Sequence, residues 1–102
     1  MSLAPALFIS HGAPTLAIEP SRLGPALKRV GEGLQAPDEG AAIRAVLVVS
    51  PHWMTPSPRV GLASRPQTIH DFGGFPARLN TMAYPAPGAP GFARRAATRL
   101  GP

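Results

Sequence analysis

Two histidines in this sequence each follow an apolar run closely. One residue separates His11 from the run at residues 6–9, and two residues separate His52 from the run at residues 45–49. Neutral imidazole is a good ligand for Zn²⁺ and Fe²⁺. If the two side chains converge, they can bind one cation. The alternative is that each is an ordinary hydrogen-bonded residue at the end of a strand.

The elements that must position these histidines are predicted to form an α/β fold. Unbroken apolar runs of this length are typical of strands buried on both faces of a parallel sheet. A helix is predicted over residues 21–34, with Ser21 as its N-cap, and a second helix over residues 90–100. A helical crossover makes the two strands parallel, so their carboxyl ends share one edge. We therefore expect a partial, mostly parallel sheet that carries both imidazoles to the same rim.

A complete metal site needs more than two ligands, and three further residues are candidates. Catalytic zinc sites usually have three protein ligands, and a 2-His-1-carboxylate iron site requires an acid. The candidates are His70, Asp71 and Glu19. His70 is also a candidate acid or base in an apolar pocket; the walls of this pocket are predicted to be Trp53, Phe72 and Phe75. The alternative is that these aromatic residues simply cover the end of the core.

Composition excludes several classes of protein. The 102 residues contain no cysteine, which excludes a disulfide scaffold, a cysteine zinc finger, an iron–sulfur cluster and a thiol nucleophile. The net charge of +5 comes largely from nine arginines scattered along the chain, so we expect no nucleic-acid partner. No apolar run approaches the roughly 18 residues of a membrane span, and the residues before the first run include no basic side chain, so we expect no signal peptide. We expect a cytoplasmic protein without a membrane partner.

Four motif segments resemble the class III extradiol ring-cleavage dioxygenases, and within them the 4,5-DOPA dioxygenase branch. The segments are residues 7–14 (LFISHGAP), 48–53 (VVSPHW), 68–76 (TIHDFGGFP) and 84–88 (YPAPG). The resemblance implies a non-haem Fe²⁺ or Zn²⁺ site with His11 and His52 as metal ligands. It also implies that His70 lines the active site, and that both atoms of O₂ are inserted into a catechol-type ring.

The resemblance covers only part of the family's pattern. Family members are more than twice as long, and their later half carries a further acid/base histidine and a third metal-ligand histidine. We therefore expect residues 1–102 to be a truncated, N-terminal portion of an extradiol dioxygenase-like catalytic domain, inactive alone. The alternative is a non-catalytic metal-binding or self-associating remnant, with a homo-oligomer as a consequence.

Overall fold

Helices form the regular secondary structure of the residues that the computed structural model describes, which are 4–10, 12–35 and 43–101. A first 3₁₀ helix spans Pro14–Ala17, and α1 spans Leu23–Gln35. A second 3₁₀ helix spans Ala77–Thr81, and α2 spans Pro90–Leu100. No helix in these three ranges has the length and apolar character needed to cross a membrane.

Helix α1 confirms the prediction of a helix over residues 21–34, with a later start. Its leucines repeat on one side and are half-buried, while the exposed Lys28 and Glu32 form an i,i+4 ion pair at 3.9 Å. Ser21, the predicted N-cap, lies two residues before Leu23 and has a left-handed φ of 48°. It therefore does not occupy the cap position. The Gly24 amide instead donates to the carbonyl of Pro20 at 2.7 Å.

Helix α2 confirms the second predicted helix, with the same limits. Pro90 is in its first turn, where a missing N–H costs nothing because that group has no partner within the helix. Gly101 follows the last residue with a φ of 86°, a conformation that favours glycine and ends the helix. The guanidinium of Arg95 lies 5.5 Å from the ring centroid of Phe92, at the spacing of a cation–π contact.

The predicted parallel sheet remains a prediction. Residues 6–9 and 45–49 form no strand ladder within the part of the chain that the structure describes. The side chains of residues 47–49 are exposed to solvent, from 62% at Leu47 to 93% at Val49. A strand needs a partner to satisfy its backbone N–H and C=O groups, and burial on both faces needs covering elements. Neither is present around these segments in the described residues.

The chain divides into two compact units. The first combines Met1–Arg44 with Phe72–Met82, and the second combines Ala45–Asp71 with Ala83–Pro102. In the first unit the two 3₁₀ helices are neighbours. Leu79, in the second 3₁₀ helix, is 3% exposed and is the one buried hydrophobic side chain among the described residues. The first unit thus has a small core centred on one leucine.

In the second unit, residue 88 holds two loop segments together. The Gly88 amide donates to the carbonyl of Ser64 at 2.9 Å. A Cβ atom at position 88 would overlap the carbonyl oxygen of Ala63 and come within 2.9 Å of its carbonyl carbon. Only glycine permits this close approach of the two backbones. The contact joins the motif segment 84–88 to residues 63–66.

Candidate metal centre and aromatic loop

His52 is positioned by a tight turn whose sequence explains its shape. The Trp53 amide donates to the carbonyl of Ser50 at 3.3 Å, which closes a four-residue turn over Ser50-Pro51-His52-Trp53. Proline is favoured at the second position of such turns, and serine at the first. The Ser50 hydroxyl also accepts the backbone N–H of His52 at 3.1 Å. Two hydrogen bonds therefore fix the backbone that carries the imidazole.

The imidazole of His52 contacts the carboxylate of Asp71. Nδ1 of His52 lies 3.0 Å from Oδ2 of Asp71, and both residues belong to the second unit. The side chains are 59% and 44% exposed, so solvent reaches the pair. The distance is that of a hydrogen bond, and the tautomer of the imidazole decides whether Nδ1 is its donor. The contact joins motif segments 48–53 and 68–76, which are distant in sequence.

The remaining predicted metal and acid/base residues are placed less completely. His11 lies outside the described residues, so its predicted convergence with His52 stays a prediction. His70 is exposed and precedes Asp71, so its backbone lies beside the His52–Asp71 pair. Across residues 4–10, 12–35 and 43–101, no group of three His, Asp or Glu side chains converges in the way that would hold a metal ion.

Two of the three predicted pocket aromatics form a pair in the first unit. The rings of Phe72 and Phe75 are 5.8 Å apart between centroids and meet edge to face at 84°. This is a favoured arrangement of aromatic rings because the positive edge of one faces the negative face of the other. Gly74, between them, has a φ of 78°, which lets the chain reverse and return the second ring to the first.

Trp53, the third pocket aromatic, lies in the second unit and is 52% exposed. A Cβ atom at Gly61 would be 4.0 Å from the outer edge of its indole, an ordinary packing distance. The same unit has a cleft of about 300 Å³ lined by Arg65, Pro66 and residues 85–87. That cleft lies where motif segment 84–88 meets residues 63–66, and it is lined mostly by proline.

The sequence predictions missed the pairing on which this site depends. Asp71 is predicted as a possible metal ligand, whereas the structure places it against His52, 19 residues earlier. No local spacing signals such a contact, since it arises from two loops meeting. The turn that begins at Ser50 could have been predicted from the sequence, because serine followed by proline is a common start of a turn.

His52 fits the role of a metal ligand. Metal-binding histidines almost always donate their second ring N–H to a carboxylate, carbonyl or water, and His52 has such a carboxylate in Asp71. An imidazole also suits both Fe²⁺ and Zn²⁺. In the described part of the chain, the structure thus supplies one oriented imidazole of the two that the sequence predicts.

Comparison with known proteins identifies relatives of one kind. The chain is 41% identical over 98 residues to a 4,5-DOPA dioxygenase extradiol of Escherichia coli (strain K12), covering 96% of this chain and 34% of that protein. It is 42% identical over 88 residues to a 4,5-DOPA dioxygenase extradiol of Beta vulgaris, covering 86% and 32%. A protein named Dioxygenase tasH, from Hapsidospora irregularis, is 33% identical over 102 residues, covering 95% and 32%.

Comparisons with protein-family profiles and with solved structures found no match to this chain. The chain spans about one third of the length of the relatives it matches, so these relatives are more than twice as long, as the family resemblance implies. The predicted resemblance is confirmed: over nearly all of its 102 residues, this chain is similar to about one third of the length of relatives named 4,5-DOPA dioxygenase extradiol.

Proposed function

We propose that this chain contributes part of the active site of an extradiol ring-cleaving dioxygenase acting on catechol-type, DOPA-like aromatic compounds. The observation that carries the proposal is the 41% identity, over 96% of the chain, to a relative named for this reaction. The four motif segments fall within that similarity. The contact between His52 and Asp71 supports it, because it prepares one imidazole for metal binding.

The residues proposed to hold the metal are His11 and His52, with Fe²⁺ or Zn²⁺ as the ion. When bound, the divalent ion supplies positive charge that favours the catecholate and brings the aromatic ring and O₂ together. His52 is held for this purpose by the turn at Ser50 and by Asp71. We expect these contacts to lower the entropic cost of metal binding, because they restrain the backbone and the side chain of the ligand.

Substrate contacts are proposed for the aromatic residues and for His70. Phe72, Phe75 and Trp53 offer apolar surface suited to an aromatic ring. His70 is proposed because it is next to Asp71, which contacts the proposed metal ligand His52. An imidazole there can accept a proton from a substrate hydroxyl or return it.

A binding assay tests the proposal with the 102-residue chain. The chromophoric probe 4-nitrocatechol is titrated into the chain loaded with Zn²⁺, and the absorbance is compared with that of Zn²⁺ and 4-nitrocatechol without protein. We expect an additional, saturable shift that is lost in His52→Ala and kept in Glu32→Gln, a control in the exposed ion pair of α1. No protein-dependent shift, or an equal shift in His52→Ala, would overturn the proposal.

Oxygen uptake tests the expectation that these residues alone do not complete the site. The 102 residues contain three histidines, and the resemblance assigns two of them to the metal. Because a catalytic centre usually has three protein ligands, we expect weak metal binding and no turnover with Fe²⁺, O₂ and a catechol. Robust oxygen consumption by the chain would refute the argument from two ligands.

A second candidate function is a non-catalytic, self-associating metal-binding domain. It is favoured by the exposed apolar run that includes Val46, 76% exposed, and Val49, 93% exposed. Contiguous apolar surface and unpaired backbone in such a run favour pairing with a second copy. Light scattering after size-exclusion chromatography would show a dimer or larger species that dissociates on dilution. A monomer at all concentrations would contradict this second candidate.

A further inference from the structure

The carboxylate of Asp71 can determine which ring nitrogen of His52 carries the proton in the neutral imidazole. A neutral imidazole carries one proton, on either Nδ1 or Nε2, and the other nitrogen is then the acceptor and the metal donor. Oδ2 of Asp71 is 3.0 Å from Nδ1, within the range of a charge-assisted hydrogen bond. Since the carboxylate can only accept, this contact favours the proton on Nδ1.

We infer that Asp71 is a positioning residue that holds His52 in its Nδ1–H tautomer and makes Nε2 the metal-donor nitrogen. This inference deepens the proposed function, since it takes His52 to be a metal ligand. Nε2, the ring nitrogen that does not contact the carboxylate, would hold the ion, and Asp71 would act through His52 rather than as a ligand itself.

The contact with the imidazole also distinguishes Asp71 from Glu32, another acidic residue that the structure describes. Glu32 forms an ion pair with Lys28 on an exposed helix face, whereas Asp71 contacts the ring of His52. The turn at Ser50 fixes the backbone of His52 but leaves the rotation of its ring to side-chain contacts. The carboxylate supplies a contact of that kind and adds the charge that makes the hydrogen bond strong.

The experiment reads the tautomer directly in the metal-free chain. Long-range ¹H–¹⁵N correlation spectra at pH 8 distinguish a protonated from an unprotonated ring nitrogen. Spectra of wild type, Asp71→Ala, Asp71→Asn and Glu32→Gln are compared, with the His52 signals assigned from His52→Gln. Asp71→Asn retains an oxygen that can accept from Nδ1–H but lacks the charge, and Glu32→Gln removes one exposed carboxylate elsewhere.

We expect Nδ1–H to dominate in wild type and in Glu32→Gln, to decrease in Asp71→Asn, and to be lost as the preferred form in Asp71→Ala. We also expect the affinity for Zn²⁺ to fall about 10–100-fold in Asp71→Ala, the usual effect of removing such a partner. Equal tautomer populations in wild type and Asp71→Ala would overturn the inference. Circular dichroism of the helices verifies that each variant is folded, and both Asp71 variants should pass because Asp71 is 44% exposed.

The two readouts separate this inference from the proposed function. Zn²⁺ affinity that is the same in wild type and His52→Gln would overturn the metal role of His52, and with it the proposed function. The tautomer spectra would still decide whether Asp71 positions the ring. Conversely, His52-dependent Zn²⁺ binding that is unchanged in Asp71→Ala, together with an unchanged tautomer, would overturn the positioning role and leave the proposed function standing.

Discussion

The small core of the first unit makes the effect of Leu79→Ala on stability a demanding test of the fold. Leu79 is 3% exposed, so its side chain is almost completely removed from water. Replacing leucine by alanine loses about three carbon groups at about 0.8 kcal/mol each, or about 2.4 kcal/mol. The cavity left behind raises the loss in the free energy of unfolding into the range of about 2–5 kcal/mol.

Such a loss is large for a chain of 102 residues, whose expected stability is about 5–15 kcal/mol. At about 4–8 °C per kcal/mol, the lower end of this range, about 2 kcal/mol, lowers the melting temperature by about 8–16 °C. Thermal unfolding followed by circular dichroism measures the shift. The matched control is Leu100→Ala, because Leu100 is 73% exposed and ends α2. If Leu79→Ala has the same melting temperature as Leu100→Ala and wild type, the argument from the burial of Leu79 is refuted.

Two glycines give further predictions. Gly74→Ala places a side chain at a φ of 78°, which should cost about 1–2 kcal/mol in the free energy of unfolding. It should also weaken the contact between the Phe72 and Phe75 rings, measured as a loss of NMR cross-peaks between them. A variant with unchanged melting and cross-peaks contradicts this. Gly88→Ala should cost about 1–3 kcal/mol through overlap with the Ala63 carbonyl and should speed hydrogen exchange of the residue 88 amide. Unaltered exchange would count against that contact.

The two α-helices were predictable because their signals are local. The apolar repeat of α1 and the proline at the start of α2 lie within the segments that they describe. The predicted start of α1 is too early. Serine is a residue type that is favoured at the N-cap, but Ser21 has a left-handed backbone conformation. A serine before an apolar repeat signals a helix start only to within a few residues.

The sheet and the metal site depend on contacts that local patterns do not encode. The apolar runs at 6–9 and 45–49 predict burial on two faces, which requires covering elements from elsewhere in a protein. The exposure of Val49 shows that nothing in the described residues provides that cover. The histidines were identified by type and position, whereas the pairing of His52 with Asp71 required the loops to be in place.

The aromatic loop was predicted in part. The density of phenylalanine and glycine in residues 72–75 predicts a turn rich in aromatic surface, and the structure brings the two rings together. The ring geometry depends on the positive φ of Gly74, the second glycine of the pair. Sequence alone cannot choose between Gly73 and Gly74 for this conformation, because both tolerate it equally.

Whether His11 and His52 bind the same metal ion is tested most directly by a double-mutant cycle for Zn²⁺ binding, measured by competition with a chromophoric chelator. The variants are His11→Ala, His52→Ala and the combination of the two. If both imidazoles bind one ion, the chain binds one Zn²⁺, each single substitution removes most of the affinity, and the double substitution adds little more. Single variants that bind as wild type does, or losses that simply add, would contradict a shared site.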